Sequence, residues 1–298
     1  MELLHAIQKK AITANKHILL PESNDPRVLQ AAREITNRKI ARITLLGEAG
    51  QVRKQADGLG IDLSDIAIIL PTEDPKYEFY VETLYNLRKA KGTTIEQASE
   101  LLKNPLYFGA MLVYSGLVDG MVAGSINTTG DVLRPALQII KPHPMYKTVS
   151  GAFLMLVPDC DLGNNGLFVF ADCAVNVNPD ARTLAEIGIQ AAYTARNLAQ
   201  MAPVISFLSF STKGSARHEM VDKVAEAVKI AKEMEPSLVI DGELQVDAAL
   251  IATVGRQKAP GSPVAGKANV LVFPDLQSGN IGYKLVERLG QAAAIGPI

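Results

Sequence analysis

The stretch Gly124-Ser125-Ile126-Asn127-Thr128-Thr129-Gly130-Asp131-Val132-Leu133-Arg134-Pro135 sets small hydroxyls, an amide and glycines between the apolar run Gly120 to Ala123 and a helix start. A strand, a polar turn and a helix start in that order bring backbone N–H groups to an anion at the positive end of a helix, a common phosphate seat in α/β folds. Arg134 adds a guanidinium fork. A second reading stays open on spacing alone: Thr128 with Asp131 is a plain capping box and Arg134 a solvated helical residue. Arg88 closes a helical pattern within the basic run Arg88-Lys89-Lys91, where it either favours the helix dipole or holds a ligand. Arg27, just after the first strand, carries the same two readings.

Three loops of the second half fall where strands should end, the place at which open parallel sheets bind ligands. Asp241-Gly242-Glu243-Leu244-Gln245-Val246-Asp247 and Phe273-Pro274-Asp275-Leu276-Gln277-Ser278-Gly279-Asn280 are acidic or polar, and both look like cleft loops. A divalent metal on paired carboxylates is one reading and capping is the other; with no adjacent histidine and no fixed ligand spacing, no metal is expected. Ser209-Phe210-Ser211-Thr212-Lys213-Gly214-Ser215 suits phosphate or amide binding more than nucleophilic catalysis. The G-x-S-x-G elbow, the P-loop and the G-x-G-x-x-G fingerprint are missing, and His5, His17, His143 and His218 share no spacing that makes a triad or a metal site.

Short β-branched runs alternating with amphipathic helical patterns must position these residues, which is the sign of parallel sheets with crossover helices. Strands are expected at 17–21, 41–46, 66–70 and 120–123. A helix through about Asn37 opens on the Asp25-Pro26 cap, and another spans 77–90. Thr93 and Glu96 form the capping box of the next. Ser150 to Val157 and Leu167 to Val175 read as an antiparallel hairpin. After it come helix 180–199, strand 204–210, helix 217–233, strand 237–241, helix 246–254, strand 269–273 and helix 281–293. Lys141-Pro142-His143-Pro144 interrupts the pattern and marks a domain boundary, giving domains 1–145 and 146–298.

The 298 residues are 48% hydrophobic, enough for two α/β cores. With 30 basic and 31 acidic residues the net charge is −1, no tryptophan is present and aromatics are 5%, so neither a nucleic-acid backbone nor an anionic membrane is the expected partner. No charge-free apolar run approaches the ~20 residues of a spanning helix, and the first ten residues are too charged for a signal peptide, so a cytoplasmic location is expected. Cys160 and Cys173 lack metal-ligand spacing and read as core thiols.

Ser125 to Ile140, Asp241-Gly242-Glu243-Leu244-Gln245 and Asn269 to Asn280 together resemble the phosphate acetyltransferase (phosphotransacetylase) family, and Leu20-Pro21-Glu22 and Leu87-Arg88-Lys89-Ala90-Lys91-Gly92 fit as well. The resemblance covers essentially the whole chain. It implies a two-domain fold like that of isocitrate and isopropylmalate dehydrogenases, mostly parallel sheets flanked by helices with a cleft between domains, and a homodimer built mainly through the second domain. It implies reversible acetyl transfer, acetyl-CoA plus phosphate giving CoA plus acetyl phosphate, by direct thiolate attack in a ternary complex, with coenzyme A as a substrate and no tightly bound cofactor. Residue by residue it implies that Arg88 and Arg134 engage coenzyme A phosphates and that Arg288 lies near the cleft. Ser125, Asn127, Thr128 and Thr129 would form the turn facing the phosphoryl group. Guanidinium forks suit the diphosphate and 3′-phosphate of coenzyme A better than ammonium groups do.

One departure from the family pattern is expected to matter. The family continues after a Gly-Pro-Ile like Gly296-Pro297-Ile298 with a segment that returns to the first domain and carries the motif N-D-L-S-R-G and a following acid. Those supply its catalytic serine, arginine and aspartate, so no catalytic residue is named in this sequence. The alternatives are a phosphate butyryltransferase or other acyl-specific relative, a non-catalytic coenzyme A-binding scaffold, and, more weakly, a metal-dependent 2-hydroxyacid dehydrogenase on the related fold.

Overall fold

Adjacent leucines at the end of the first strand face opposite ways, and that alternation sets the layering of the first half of the chain. Leu19 belongs to one core with Tyr80, Leu84, Phe108, Met111 and Ile139, whereas Leu20 belongs to another with Leu29, Ala32, Leu45 and Val52. A sheet buried on both faces is what near-continuous apolar strands produce in parallel α/β units. The computed structural model describes residues 2–298, which divide into two compact units, the first through Lys141 and the second Pro142–Ile298.

The first unit runs α1 (Glu2–Ala14), β1 (His17–Leu20), α2 (Pro26–Asn37), β2 (Arg42–Leu46), α3 (Ala49–Gly58), β3 (Ala67–Ile69), α4 (Tyr77–Arg88), α5 (Ile95–Leu102), α6 (Pro105–Tyr114), β4 (Gly120–Met121) and α7 (Thr129–Pro135), followed by a π-helical segment, Ala136–Ile140. Its sheet is parallel with strand order β3-β2-β1-β4. Asp25 caps α2 by accepting from the Arg27 N–H, with Pro26 at the first helical position, as the sequence predicts. The capping box of α5 sits one residue beyond the expected Thr93 and Glu96: Thr94 and Gln97 form it. Two adjacent threonines offer the same hydroxyl, and packing of Ala98 and Leu102 into the core selects the register.

The second unit runs β5 (Phe153–Leu156), the short turn α8 (Leu162–Asn165), β6 (Leu167–Ala171), α9 (Ala181–Asn197), β7 (Val204–Leu208), α10 (Glu219–Met234), β8 (Val239–Leu244), α11 (Val246–Leu250), α12 (Ala252–Lys258), β9 (Val270–Val272), α13 (Leu276–Leu289) and β10 (Ala293–Ile295). Its six strands are ordered β10-β5-β6-β9-β7-β8, and β5 with β6 is the expected antiparallel hairpin, while β6, β9, β7 and β8 are mutually parallel. Two expectations need correcting. The helix read over 246–254 is two helices meeting at Ile251, whose ψ of 114° is extended. The last helix starts at Leu276 rather than 281, because Asp275 caps it through the Ser278 N–H, and the chain then adds the edge strand β10 where helix was expected to run to 293. The fold class is the expected one, mixed α/β with parallel sheets flanked by helices.

Helix α9 lies close against the second sheet at Gly188, where an added Cβ would stand 2.4 Å from Cζ of the fully buried Phe207. Gly188→Ala is therefore expected to cost about 1–3 kcal/mol through overpacking, read as a lowered thermal midpoint. An unchanged midpoint would show that Phe207 can yield.

Candidate functional site

In the first sheet the chain steps from β1 to β2 to β3 on one side, then returns past β1 to place β4 on the other. The order reverses between β1 and β4, and the crevice outside the carboxyl ends of two such strands is where open α/β sheets hold ligands. The loop after β1 carries Pro21 and Glu22, and the loop after β4 is the turn Gly124-Ser125-Ile126-Asn127.

The two loops are joined by one carboxylate. Glu22, only 3% exposed, accepts from the backbone N–H groups of Gly124 (2.7 Å), Ser125 (2.8 Å), Ile126 (3.2 Å) and Asn127 (2.9 Å), from the Ser125 hydroxyl (2.9 Å) and from Asn127 Nδ2 (2.7 Å). Burial by itself would push this carboxyl up. The bonds from the Asn127 side chain, from the Asn127 and Ser125 backbone and from the Ser125 hydroxyl outweigh it and hold Glu22 at about 2. Gly124 serves the arrangement through its backbone, since its φ of +110° lies in the region that side chains disfavour. A second tie runs alongside: Arg27 Nη2 donates to the Ser125 carbonyl (2.7 Å) and to Asp25 Oδ2 (2.6 Å). The Arg27 side chain, and then its backbone N–H, hold the Asp25 carboxyl at about 2.

The turn thus has the anion-cradling backbone that the sequence implies, and the anion in it is Glu22. Ser125 and Asn127 give their donors to that carboxylate, and Thr128 gives its hydroxyl to Asp131 Oδ2 (2.7 Å) while accepting from the Asp131 N–H to cap α7. The capping reading of Thr128 and Asp131 is realised. Thr129 is exposed and its hydroxyl has no hydrogen bond among the described residues; the N–H groups of Thr129 and Gly130, first in α7, have no intrahelical acceptor. Arg134, exposed on the last turn of α7, has one ion pair, a long 3.8 Å contact to Asp131.

Arg88 ends α4, which packs on the Ala136–Ile140 segment that continues α7. It forms no ion pair among the described residues, and its Nε is buried without a hydrogen-bond partner. A buried guanidinium donor left open has a place for an acceptor. Arg288 belongs to the second unit, on α13, with its side chain 79% exposed and, among the described residues, only its neighbour Glu287 within ion-pair reach, at 3.7 Å. The turn residues and Arg134 are therefore contiguous, Arg88 lies on a helix packed beside them, and Arg288 sits in the other unit.

The acidic loops of the second unit are turned inward on separate partners. Asp241 accepts from Lys213 Nζ (2.6 Å) and Ser262 (2.5 Å), Glu243 from Ser211 (3.0 Å) and the Gly214 N–H (2.7 Å), and Asp247 from Lys258 (2.8 Å). The Ser209–Ser215 loop, read as a phosphate or amide seat, spends these donors on tying β7 to β8. At the end of β6 the buried Asp172 repeats the Glu22 device, accepting from the N–H groups of Ala174 (2.7 Å), Val175 (3.0 Å) and Asn176 (2.9 Å). Cys173 beside it is fully buried, and burial, followed by the Asp172 charge, pushes its thiol well up. Cys173 is expected to react with a disulfide reagent only after unfolding, with half-exposed Cys160 reacting first; two thiols modified at equal rates in the native protein would contradict this.

Glu22 and Arg27 are the residues that spacing undervalues. Arg27 has the dipole reading wrong, since it lies in the first turn of α2, where a cation opposes the dipole, and Asp25 with the Ser125 carbonyl holds it there. An acid just after a strand, three residues ahead of an Asp-Pro cap, was the available signal.

Residues 2–298 match the family described as phosphate acetyl/butaryl transferase. A protein named phosphate acetyltransferase from Thermoanaerobacterium thermosaccharolyticum is 53% identical over 298 residues, all of this chain and 90% of that protein. One of the same name from Clostridium acetobutylicum is 51% identical with the same coverage. The crystal structure of a phosphotransacetylase from Streptococcus pyogenes aligns over 100% of this chain and 88% of that one, with a TM-score of 0.93 and 45% identity. By end-to-end sequence and by fold, the chain belongs to the phosphate acetyl/butaryl transferase family.

Proposed function

We propose that this protein transfers an acetyl group reversibly between coenzyme A and inorganic phosphate. The observation that carries the reading is the match, over the whole chain, to relatives named phosphate acetyltransferase at 53% and 51% identity. In support, the donors left open at the start of α7 lie beside the β1–β4 crevice.

Transfer toward coenzyme A needs the thiol to lose its proton, the sulfur to form a bond to the acetyl carbonyl carbon, and the carbon–oxygen bond to phosphate to break, with phosphate leaving. The chain's own contributions are binding and orientation. Arg88, Arg134 and Arg288 are the guanidinium groups for the coenzyme A phosphates, and the support is that, among the described residues, Arg88 has no ion pair and the others have only contacts of 3.7 Å or longer. Ser125, Asn127, Thr128 and Thr129 form the phosphoryl-facing turn. Within it the Glu22-bound residues fix the shape, and the Thr129 hydroxyl with the Thr129 and Gly130 N–H groups offers free donors. The reaction uses coenzyme A as substrate and no resident cofactor.

In this reading the protein works as a homodimer assembled through the second unit. Supporting that, Ile281, Leu285 and Leu289 form an exposed apolar stripe at one face of α13. Among the described residues no helix is long and apolar enough to cross a membrane, and the proposed location is the cytoplasm.

The discriminating experiment is thiol release from acetyl-CoA and from butyryl-CoA with and without phosphate. The reading expects phosphate-dependent release with acetyl-CoA favoured in kcat/KM by about tenfold or more, the size of discrimination that extra methylenes allow. Preference for butyryl-CoA would assign the butyryl-specific alternative. Tight coenzyme A binding with no release would assign the non-catalytic scaffold.

A further inference from the structure

The amino ends of the strands in the first sheet, opposite the Glu22 turn, border an open groove of about 580 Å³ between the last turn of α1 and strands β1, β2 and β3. That is the size of an ordinary small-molecule site. Its wall is divided by chemistry. Ile12 and Ala67 give it an apolar side, while His17, Lys39, Arg42 and Thr44 give it a polar one that also holds the carboxylate of Asp65.

The charge on that side is unbalanced. Lys39 and Arg42 enter no ion pair among the described residues. The two acids nearby are already engaged: Asp65 pairs with Arg33 at 2.5 Å, and Asp119 accepts from Lys16 (2.7 Å) and from the His17 N–H (2.8 Å). Four cations therefore share this end of the sheet with two acids, and the unpaired two line the groove. At its base the buried Thr44 hydroxyl stands 2.8 Å from His17 Nε2, so the imidazole is held in place. Burial, followed by the charge of Arg42, lowers the His17 pKa against the opposing pull of the Leu117 backbone and the Asp119 charge.

We propose that this groove is a second anion site of the protein, which takes a small molecule bearing a phosphate or carboxylate on a short apolar body. The anion meets Arg42 and Lys39 beside the His17–Thr44 pair, and the body lies on Ile12 and Ala67. Fixed cations at the rim of a partly apolar groove favour such amphipathic anions over inorganic ions, which gain nothing from the apolar wall.

The test follows the ring protons of His17 by NMR in the full-length protein, assigned with His17→Gln, during titration with phenyl phosphate, benzoate and phenol. Phenyl phosphate or benzoate should move the His17 resonance saturably, phenol should not, and the Lys39→Gln/Arg42→Gln double variant should bind about tenfold more weakly or worse. Response to phenyl phosphate alone would assign the ligand's anion as phosphate, and response to benzoate alone as carboxylate. Both substitutions are at exposed positions, and an unchanged thermal midpoint keeps the comparison valid. No movement with either anion, equal movement in the double variant, or equal movement with phenol would overturn the proposal.

Discussion

Glu22→Ala should lower stability by about 3–5 kcal/mol and reduce acetyl transfer by about a hundredfold or more, because it strips the acceptor from four backbone N–H groups and two side-chain donors at once. Glu22→Gln sharpens the test, since the amide keeps the volume but offers one oxygen and introduces donors facing the N–H groups of the turn. If the turn faces the phosphoryl group as proposed, binding and turnover should then suffer together. The pH dependence has a definite sign. A carboxyl at about 2 in the folded protein, against an ordinary 4.5, contributes stability that is complete above about 4.5 and is lost as pH falls toward 2. Its size is on the order of 3 kcal/mol at 1.36 kcal/mol per unit. The stability gap between wild type and Glu22→Gln, measured by urea unfolding, should therefore narrow as pH falls from about 4.5 to about 2. A gap independent of pH would mean the carboxylate charge is not what holds the turn.

Arg88→Ala should raise KM for coenzyme A by about ten- to a hundredfold, with kcat changed much less. That is the loss of one or two charge-assisted hydrogen bonds made equally in ground and transition states. Arg88→Lys separates the two readings of this residue. At the end of α4 a lysine interacts with the helix dipole as well as an arginine does, so a dipole role predicts full rescue. A ligand fork predicts little rescue, because an ammonium cannot reproduce the guanidinium's planar donors. Thermal midpoints shifted in both variants with KM unmoved would return Arg88 to a structural role.

Much of this arrangement was legible in local pattern. The Asp25-Pro26 cap, the buried strands β1 and β2, and the β5–β6 hairpin each follow from a few neighbouring residues. Local pattern failed where the deciding partner is distant or duplicated. Thr93 and Thr94 are equivalent as caps until Ala98 and Leu102 enter the core. Helix α13 carries Gly279 where an added Cβ would stand 2.3 Å from the Asp172 carbonyl, and that neighbour is over a hundred residues off in sequence. The turn 124–127 shows the same limit at the site. Its glycine, hydroxyl and amide announced a place for an anion, and the anion proved to be a side chain 102 residues away across a parallel strand pair.

The most direct measurement is transfer of label from [32P]phosphate into acetyl phosphate with acetyl-CoA as donor, followed alongside thiol release, in the full-length protein. The account predicts labelled acetyl phosphate in step with free coenzyme A, and no label exchange between phosphate and acetyl phosphate when coenzyme A is withheld, since the acetyl group passes directly between the two substrates. Thiol release without labelled product would make the protein a thioesterase, and coenzyme A-independent exchange would require an acetyl-enzyme intermediate; either result contradicts the account.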